Sequence, residues 1–191
     1  MDCFEQVVAK LIEQNGKWIR HNVRINITKE EKRLIGSPNM PRPEIDIVAY
    51  DVSTNMLELW EVKSFLDSKG VRYNDIRTEY TVTKGKYKLL TSPNYRKIIT
   101  NKLKKEWIEK GLIKKDTKII YGFAIGNVNL KDEEKIKNHL QKRKWLFKLP
   151  NDILNELKSL EKEGYEDNLI TIVTKIILRG NNENKSKYNK K

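Results

Sequence analysis

PEIDIVAYDVSTNMLELWEVKSF, residues 43–65, reads as two short β-strands around a polar turn. Alternation puts Glu44, Asp46, Val48 and Tyr50 on one face of the first strand. Leu57, Leu59, Glu61 and Lys63 share a face of the second. The opposite faces carry Ile45, Ile47 and Ala49, then Glu58, Trp60 and Val62. Both faces are largely apolar, so the hairpin is expected to be buried on both sides. Glu44, Asp46, Glu61 and Lys63 interrupt it nonetheless. With the turn centred between Ser53 and Thr54, Asp46 falls opposite Glu61 and Glu44 opposite Lys63. Directly opposed side chains have Cβ atoms roughly 4.5–5.5 Å apart, where like charges repel. Two carboxylates so placed in a half-buried sheet require a cation.

An oxygen-rich site with few ligands suits Mg²⁺, or Mn²⁺ in its place, which keeps several waters and takes one or two carboxylates plus substrate phosphate. The carbonyl of Val62 adds a further oxygen between Glu61 and Lys63. Lys63 projects to the same face, where it can hold an attacking water or offset charge in a transition state. Metal-assisted phosphodiester hydrolysis fits that set. The plainer alternative is a pair of cross-strand salt bridges on an exposed edge ribbon. Such bridges contribute ~0–1 kcal/mol and do not account for strands buried on both sides.

Around the hairpin the pattern alternates between helix and strand. Phe4, Val7, Val8, Leu11 and Ile12 form one helical stripe over 3–14, with Asp2 as N-cap and Gly16 as stop. Residues 17–27 suggest a strand, and 28–42 a polar connection. Ser92-Pro93 opens a helix whose buried stripe is Tyr95, Ile98, Ile99, Leu103 and Trp107, closed by Gly111. KIIYGFAIG, 118–126, is an apolar strand central in the sheet. Helices are expected at 131–143, 151–163 and 168–179, the last marked by Leu169, Val173, Ile176 and Ile177. The order is that of an α/β domain with a mixed sheet flanked by helices.

Asp46 followed fifteen residues on by Glu61-Val62-Lys63 resembles the PD-(D/E)xK motif of the restriction-endonuclease-like nuclease superfamily. The run of elements from helix 3–14 to strand 118–126 is similar to that superfamily's αβββαβ core. The resemblance implies that Asp46 and Glu61 are metal ligands and catalytic residues and that Lys63 is the catalytic lysine. It also implies that Glu5 is the acidic residue of the first helix facing the site. Residues 1–130 would then be a nuclease core domain, 131–180 a helical extension packed on it, and 181–191 a disordered basic tail. The bare triplet Asp/Glu-x-Lys occurs seven times in the chain. Only the one beginning at Glu61 ends an apolar strand with an aspartate on a paired strand before it. Pro43 is followed by Glu44-Ile45-Asp46, so Glu44 is a candidate to share or take the ligand role. No glutamine lies between Lys63 and Gln141, so the Q-x-x-x-Y element of exonuclease-type relatives is missing. An endonuclease is expected rather than an end-processing enzyme.

The charge distribution narrows the partner. Net charge is +13, yet residues 1–63 hold nine basic against ten acidic side chains, while 84–118 hold twelve against three. Lys84, Lys86, Lys88, Arg96, Lys97, Lys104 and Lys105 in that block are the candidate nucleic-acid contacts, with DNA the expected partner. A lysine-rich solvated helix face is the competing explanation. One cysteine, Cys3, excludes a disulfide framework, and two histidines, His21 and His139, leave little room for a histidine metal site. No run approaches the ~20 apolar residues of a membrane span, and the acidic, amphipathic start is no secretory signal. A cytoplasmic protein without a small-molecule cofactor is expected, dimeric if it cuts both strands. A non-cleaving nucleic-acid-binding subunit of the same fold, acting in specificity or as a scaffold, is the alternative.

Overall fold

Asp2 starts the chain's first helix as the sequence requires. Its carboxylate accepts from the Glu5 N–H at 2.7 Å, and Glu5 in turn accepts from the Asp2 N–H, forming a reciprocal cap on α1 (Cys3–Glu13). The structure is a computed structural model that describes residues 2–83, 86–164 and 166–188, with side chains described as far as residue 180. After α1 come β1 (Trp18–Arg24), α2 (Lys29–Leu34), β2 (Glu44–Asp51) and β3 (Met56–Lys63). A short helix α3 (Lys88–Thr91) leads into α4 (Pro93–Glu109), and β4 (Lys118–Ile125) follows. The chain ends with α5 (Glu133–Lys142), β5 (Leu146–Lys148), α6 (Pro150–Ser159) and α7 (Leu169–Tyr188).

Among the described residues the strands form a five-stranded mixed sheet in the order β1-β2-β3-β4-β5. The first two pairings are antiparallel and the last two parallel. The hairpin register is the expected one: Ile47 pairs with Trp60 and Asp51 with Met56. Its turn is held by Asp51, whose carboxylate accepts from Ser53 and Thr54, an arrangement that holds its pKa down to about 2. Helices cover both sheet faces. Val48, Tyr50, Leu57 and Leu59 pack against Tyr95, Ile99, Leu103 and Trp107 of α4. On the other face Ile47, Ala49, Trp60 and Val62 meet Val8, Leu11 and Ile12 of α1 and Ile153 of α6. A third cluster joins Phe123 and Ile125 of β4 to Ile136 and Leu140 of α5.

Four features depart from the sequence expectation. The connection 28–42 contains α2, because Thr28 and Glu31 form a capping box that nucleates one turn and a half. Ser92 occupies the N-cap position of α4, yet its hydroxyl makes no capping bond. β5 is only three residues long, too short to show a period. Helix α7 does span the β-branched run ITIVTKIIL, but it turns Ile170 and Thr171 inward and leaves Leu169, Val173, Ile176 and Ile177 exposed. Polar anchors set that orientation: Thr171 donates to Glu166, Glu166 pairs with Lys10, and Lys175 donates to the carbonyls of Glu163 and Gly164. The helix continues to Tyr188, through positions that the sequence assigns to a disordered tail, where no proline interrupts it. Residues 189–191 of that tail lie outside the described residues. No helix among the described residues is long and apolar enough to cross a membrane.

Gly122 fixes how β3 and β4 approach. It pairs with Trp60, and a Cβ there would lie 2.3 Å from the indole ring. The ring cannot step aside easily, because its N–H donates to Glu58 at 2.9 Å beneath α1. Gly122→Ala should therefore cost about 1–3 kcal/mol as an overpacked core. At roughly 2–4 °C per kcal/mol for a chain of this size, a calorimetric scan should show a clearly lowered Tm with no change in the far-ultraviolet spectrum.

Candidate functional site

β2 begins and β3 ends at the same edge of the sheet, and there the ladder changes character. Regular pairing stops at Ile47–Trp60. The next N–H on β3 that faces β2, that of Val62, donates to Asp46 Oδ2 at 2.7 Å. A carboxylate has taken the place of a backbone carbonyl. In an extended strand the N–H and C=O of one residue face the same neighbour, so the Val62 carbonyl also lies on the Asp46 side.

Glu61 and Lys63 project from the same face of β3 as Asp46 does from β2. Lys63 Nζ lies 2.9 Å from Glu61 Oε1 and 3.5 Å from Asp46 Oδ2. The side chains of Asp46 and Glu61 are 18% and 19% exposed and that of Lys63 30%, so the group is sheltered but reachable. The ammonium supplies the cation that the opposed carboxylates require. Burial pushes the Glu61 carboxyl above its usual range; the Lys63 charge pulls it back and the Asp46 charge pushes it further up. Burial opposes the charged form of Lys63, yet Glu61 and Asp46 outweigh it and raise its pKa.

The site sits at the carboxyl ends of the parallel strands β3 and β4, the edge where open α/β sheets commonly bind ligands. Glu5, in the first turn of α1, comes to the same end. Its carboxyl is raised first by burial and then by the Asp46 charge. Tyr95 of α4 is buried there too, its phenol raised by burial and then by the charges of Glu61 and Asp46.

Glu44 does not join them. Asn22 takes a left-handed backbone (φ 49°) and donates to Glu44 at 2.9 Å, as does Arg24 from the same strand. These bonds, Arg24 first, hold the Glu44 carboxyl below its usual range. Glu44 is committed to β1 and is not paired with Lys63, because the hairpin ladder stops at Ile47, three residues short of it. Two carboxylate side chains and one carbonyl are hard oxygen donors of the kind Mg²⁺ accepts in small number. Among the described residues, no group of three or more His, Cys, Asp and Glu is arranged to hold a metal ion.

The basic candidates separate. Arg96 is only 14% exposed; it donates to the carbonyls of Leu89 and Leu90 and to Glu79, and lies over the rings of Tyr121 and Trp145. Lys104 donates to the Thr117 carbonyl just before β4, and Lys105 is 3.9 Å from Glu109. That is the opposite end of the sheet, since Lys118 pairs with Met56 whereas Phe123 pairs with Glu61. The separation is five residues, or roughly 17 Å at ~3.3 Å per residue. Lys97 is exposed on α4, Lys88 is half-buried on α3, and Lys86 is exposed 3.4 Å from Asp75. Lys84 lies outside the described residues. Lys69, Arg72 and Tyr87 come to the site's end of the sheet without any signal in the linear pattern. Only the return of segment 66–91 against β4 brings them there.

The chain matches no protein-family model, no curated protein and no solved structure.

Removing the ammonium exposes the charge balance. Lys63→Met leaves Asp46 and Glu61 facing each other and should cost about 2–3 kcal/mol at neutral pH, below the ~3–5 kcal/mol of a fully buried pair. A carboxyl whose folded pKa is raised gives up stability as pH rises through that pKa and regains it as pH falls. The variant's deficit in urea denaturation should shrink as pH is lowered from neutral, and Lys63→Met/Glu61→Gln should show no such recovery.

Proposed function

We propose that this chain is a Mg²⁺-dependent DNA endonuclease of the restriction-endonuclease-like kind, with Asp46, Glu61 and Lys63 as its catalytic set. The observation that carries this reading is the convergence of two carboxylates and a lysine on one face at the carboxyl end of β3. With the short helices α2 and α3 set aside, the element order α1-β1-β2-β3-α4-β4 is in keeping with the αβββαβ core that the sequence resembles. Asp46 and Glu61, with the Val62 carbonyl, would hold the ion. A bound Mg²⁺ would supply Lewis-acid activation of water and neutralise charge on the phosphoryl oxygens. Lys63 would hold the attacking water by a hydrogen bond and stay protonated, as its raised pKa supports. In the reaction a water oxygen bonds to phosphorus, the opposite P–O bond breaks, and the departing sugar oxygen takes up a proton. Glu5 would orient water from α1.

A second reading, a non-cleaving nucleic-acid-binding subunit, draws on a specific observation. Lys63 is ion-paired to both carboxylates, and among the described residues no third carboxylate is arranged with them to hold a metal ion. Such a triad can simply stabilise a splayed sheet end.

Supercoiled plasmid, which carries transiently unpaired segments as well as duplex, separates the two. The wild type should nick or linearise it with Mg²⁺ or Mn²⁺ and not in EDTA. Asp46→Ala, Glu61→Ala and Lys63→Ala should each reduce cutting by at least about a hundredfold, the scale of losing one preorganised electrostatic group. Undiminished cutting in EDTA or by these variants rules out a metal-dependent enzyme at this site, and no cutting by the wild type leaves the binding subunit. Metal binding has its own readout. At a hundred times Kd, Mn²⁺ should add about 2.7 kcal/mol, or roughly 5–11 °C in Tm, to the wild type and little to Asp46→Asn.

A further inference from the structure

Beyond Lys63 the chain turns away from the sheet and builds a groove of about 350 Å³, within the ~300–1,000 Å³ range of small-ligand sites. Half-buried Phe65 is its aromatic wall, backed by the largely buried Tyr87, and Lys69, Arg72 and Lys86 line it, with Asp75 the acidic member among the described residues. Tyr87 packs on Phe123 at 5.3 Å between ring centroids, and Phe123 is the register partner of Glu61. The groove therefore lies beside the candidate site, at the same end of the sheet.

Its walls are held in costly backbone conformations. Phe65 has φ 45° and Tyr87 φ 56°, values rare for bulky side chains. The Phe65 carbonyl accepts from the backbone and hydroxyl of Ser68 and from Asn127 just past β4. Gly70 lies so close to β4's exit that a Cβ would meet the Asn127 carbonyl oxygen at 2.7 Å. Thr91 donates from its N–H and its hydroxyl to the Tyr87 carbonyl, at 2.9 and 3.1 Å. Strain that surrounding bonds over-determine is a feature of preformed ligand sites. Lys86 is matched by Asp75, which leaves the exposed Lys69 and Arg72 as excess positive charge beside aromatic surface. Cations that follow a phosphate backbone next to aromatic walls that take a base are the chemistry of single-strand binding.

We propose that this groove holds one unpaired nucleotide of a DNA strand, the one flanking the phosphate at Asp46, Glu61 and Lys63, so that the substrate is single-stranded at the cut. The flanking position rests on the endonuclease reading, whereas occupancy of the groove does not.

Binding of a fluorescein-labelled oligonucleotide of about 15 residues, a length that fills a typical single-strand channel, is measured by anisotropy in EDTA, where nothing is cut. The wild type should bind the single strand more tightly than its duplex. Lys69→Glu/Arg72→Glu should weaken binding at least about tenfold and lower the salt slope by about 1.4, or ~0.7 per lost phosphate contact. The charge-matched Lys114→Glu/Lys115→Glu, exposed in the turn before β4 at the far end of the sheet, should stay within about twofold, having lost only long-range attraction. Equal losses in the two variants, no binding by the wild type, or equal affinity for the duplex would overturn the proposal. A protein that binds through the groove yet cuts nothing with Mg²⁺ or Mn²⁺ leaves it standing and removes the enzyme reading. One that cuts with Lys69→Glu/Arg72→Glu at unchanged KM removes the groove and leaves the enzyme.

Discussion

The Asp46 carboxylate takes a hydrogen bond that belongs, by position, to a backbone carbonyl. This substitution is the constraint from which the site follows. A hairpin that kept its ladder to the end would direct the Val62 N–H into β2 and close the sheet edge. Here β2 and β3 part after Ile47–Trp60, and the freed backbone satisfies itself on a side chain. That anchors Asp46 on the same face as Glu61 and Lys63 and leaves them 18–30% exposed at a sheet end. Net stabilisation from one such charge-assisted bond is modest, about 1.5–3 kcal/mol. Its larger effect is geometric, since it fixes one carboxylate by two points, its own strand and its neighbour's.

The rest of the fold serves to hold β3 still. Strand β3 has neighbours on both edges and helices over both faces, α4 on the site's side and α1 with α6 on the other. Gly122 admits the Trp60 ring, and Glu58 receives the ring's N–H and the Lys17 ammonium. With that face closed, β3 cannot rotate to withdraw Glu61. Glu44, held by Asn22 and Arg24, ties the start of β2 to β1 in the same way.

Much of this was legible because period-2 patterning is strong where strands are buried on both sides. The hairpin register, the shared face of Asp46, Glu61 and Lys63, the α1 cap and the buried stripe of α4 all follow from alternation, helical spacing and cap chemistry. What was not legible depends on contacts between segments distant in sequence. Glu44 reads like Asp46 in a strand pattern, and only the pairing with β1, which sets Arg24 opposite it and Asn22 within reach, commits it there. Arg96 reads as part of a basic block, but the Tyr121 and Trp145 rings and Glu79 make it a packing residue. The inward face of α7 is set by Lys10, Glu166 and Thr171, none of which lies in the apolar stripe that marks the helix. Residues 66–71 show no period, since they are held by the carbonyl of Phe65 and the exit of β4.

Strand β3 also contains its own control for reading carboxylates. Glu58 and Glu61 lie three residues apart on opposite faces. Glu58 is 3% exposed and fully engaged, with a lysine on one oxygen and an indole on the other. Nothing can reach it, and its role ends with the packing of Trp60. Glu61 has one ammonium, a second carboxylate within the same ion pair, and solvent on its remaining side. Its burial raises its pKa, whereas its proximity to Lys63 keeps the charged form accessible. A group held between two protonation tendencies beside a cation is one that a ligand can tip. A divalent ion or a phosphate arriving at this edge would compete with Lys63 for the same oxygens or for the same lysine. On the endonuclease reading proposed above, the ion pair would be a latch as well as a support, opened as the ligand arrives.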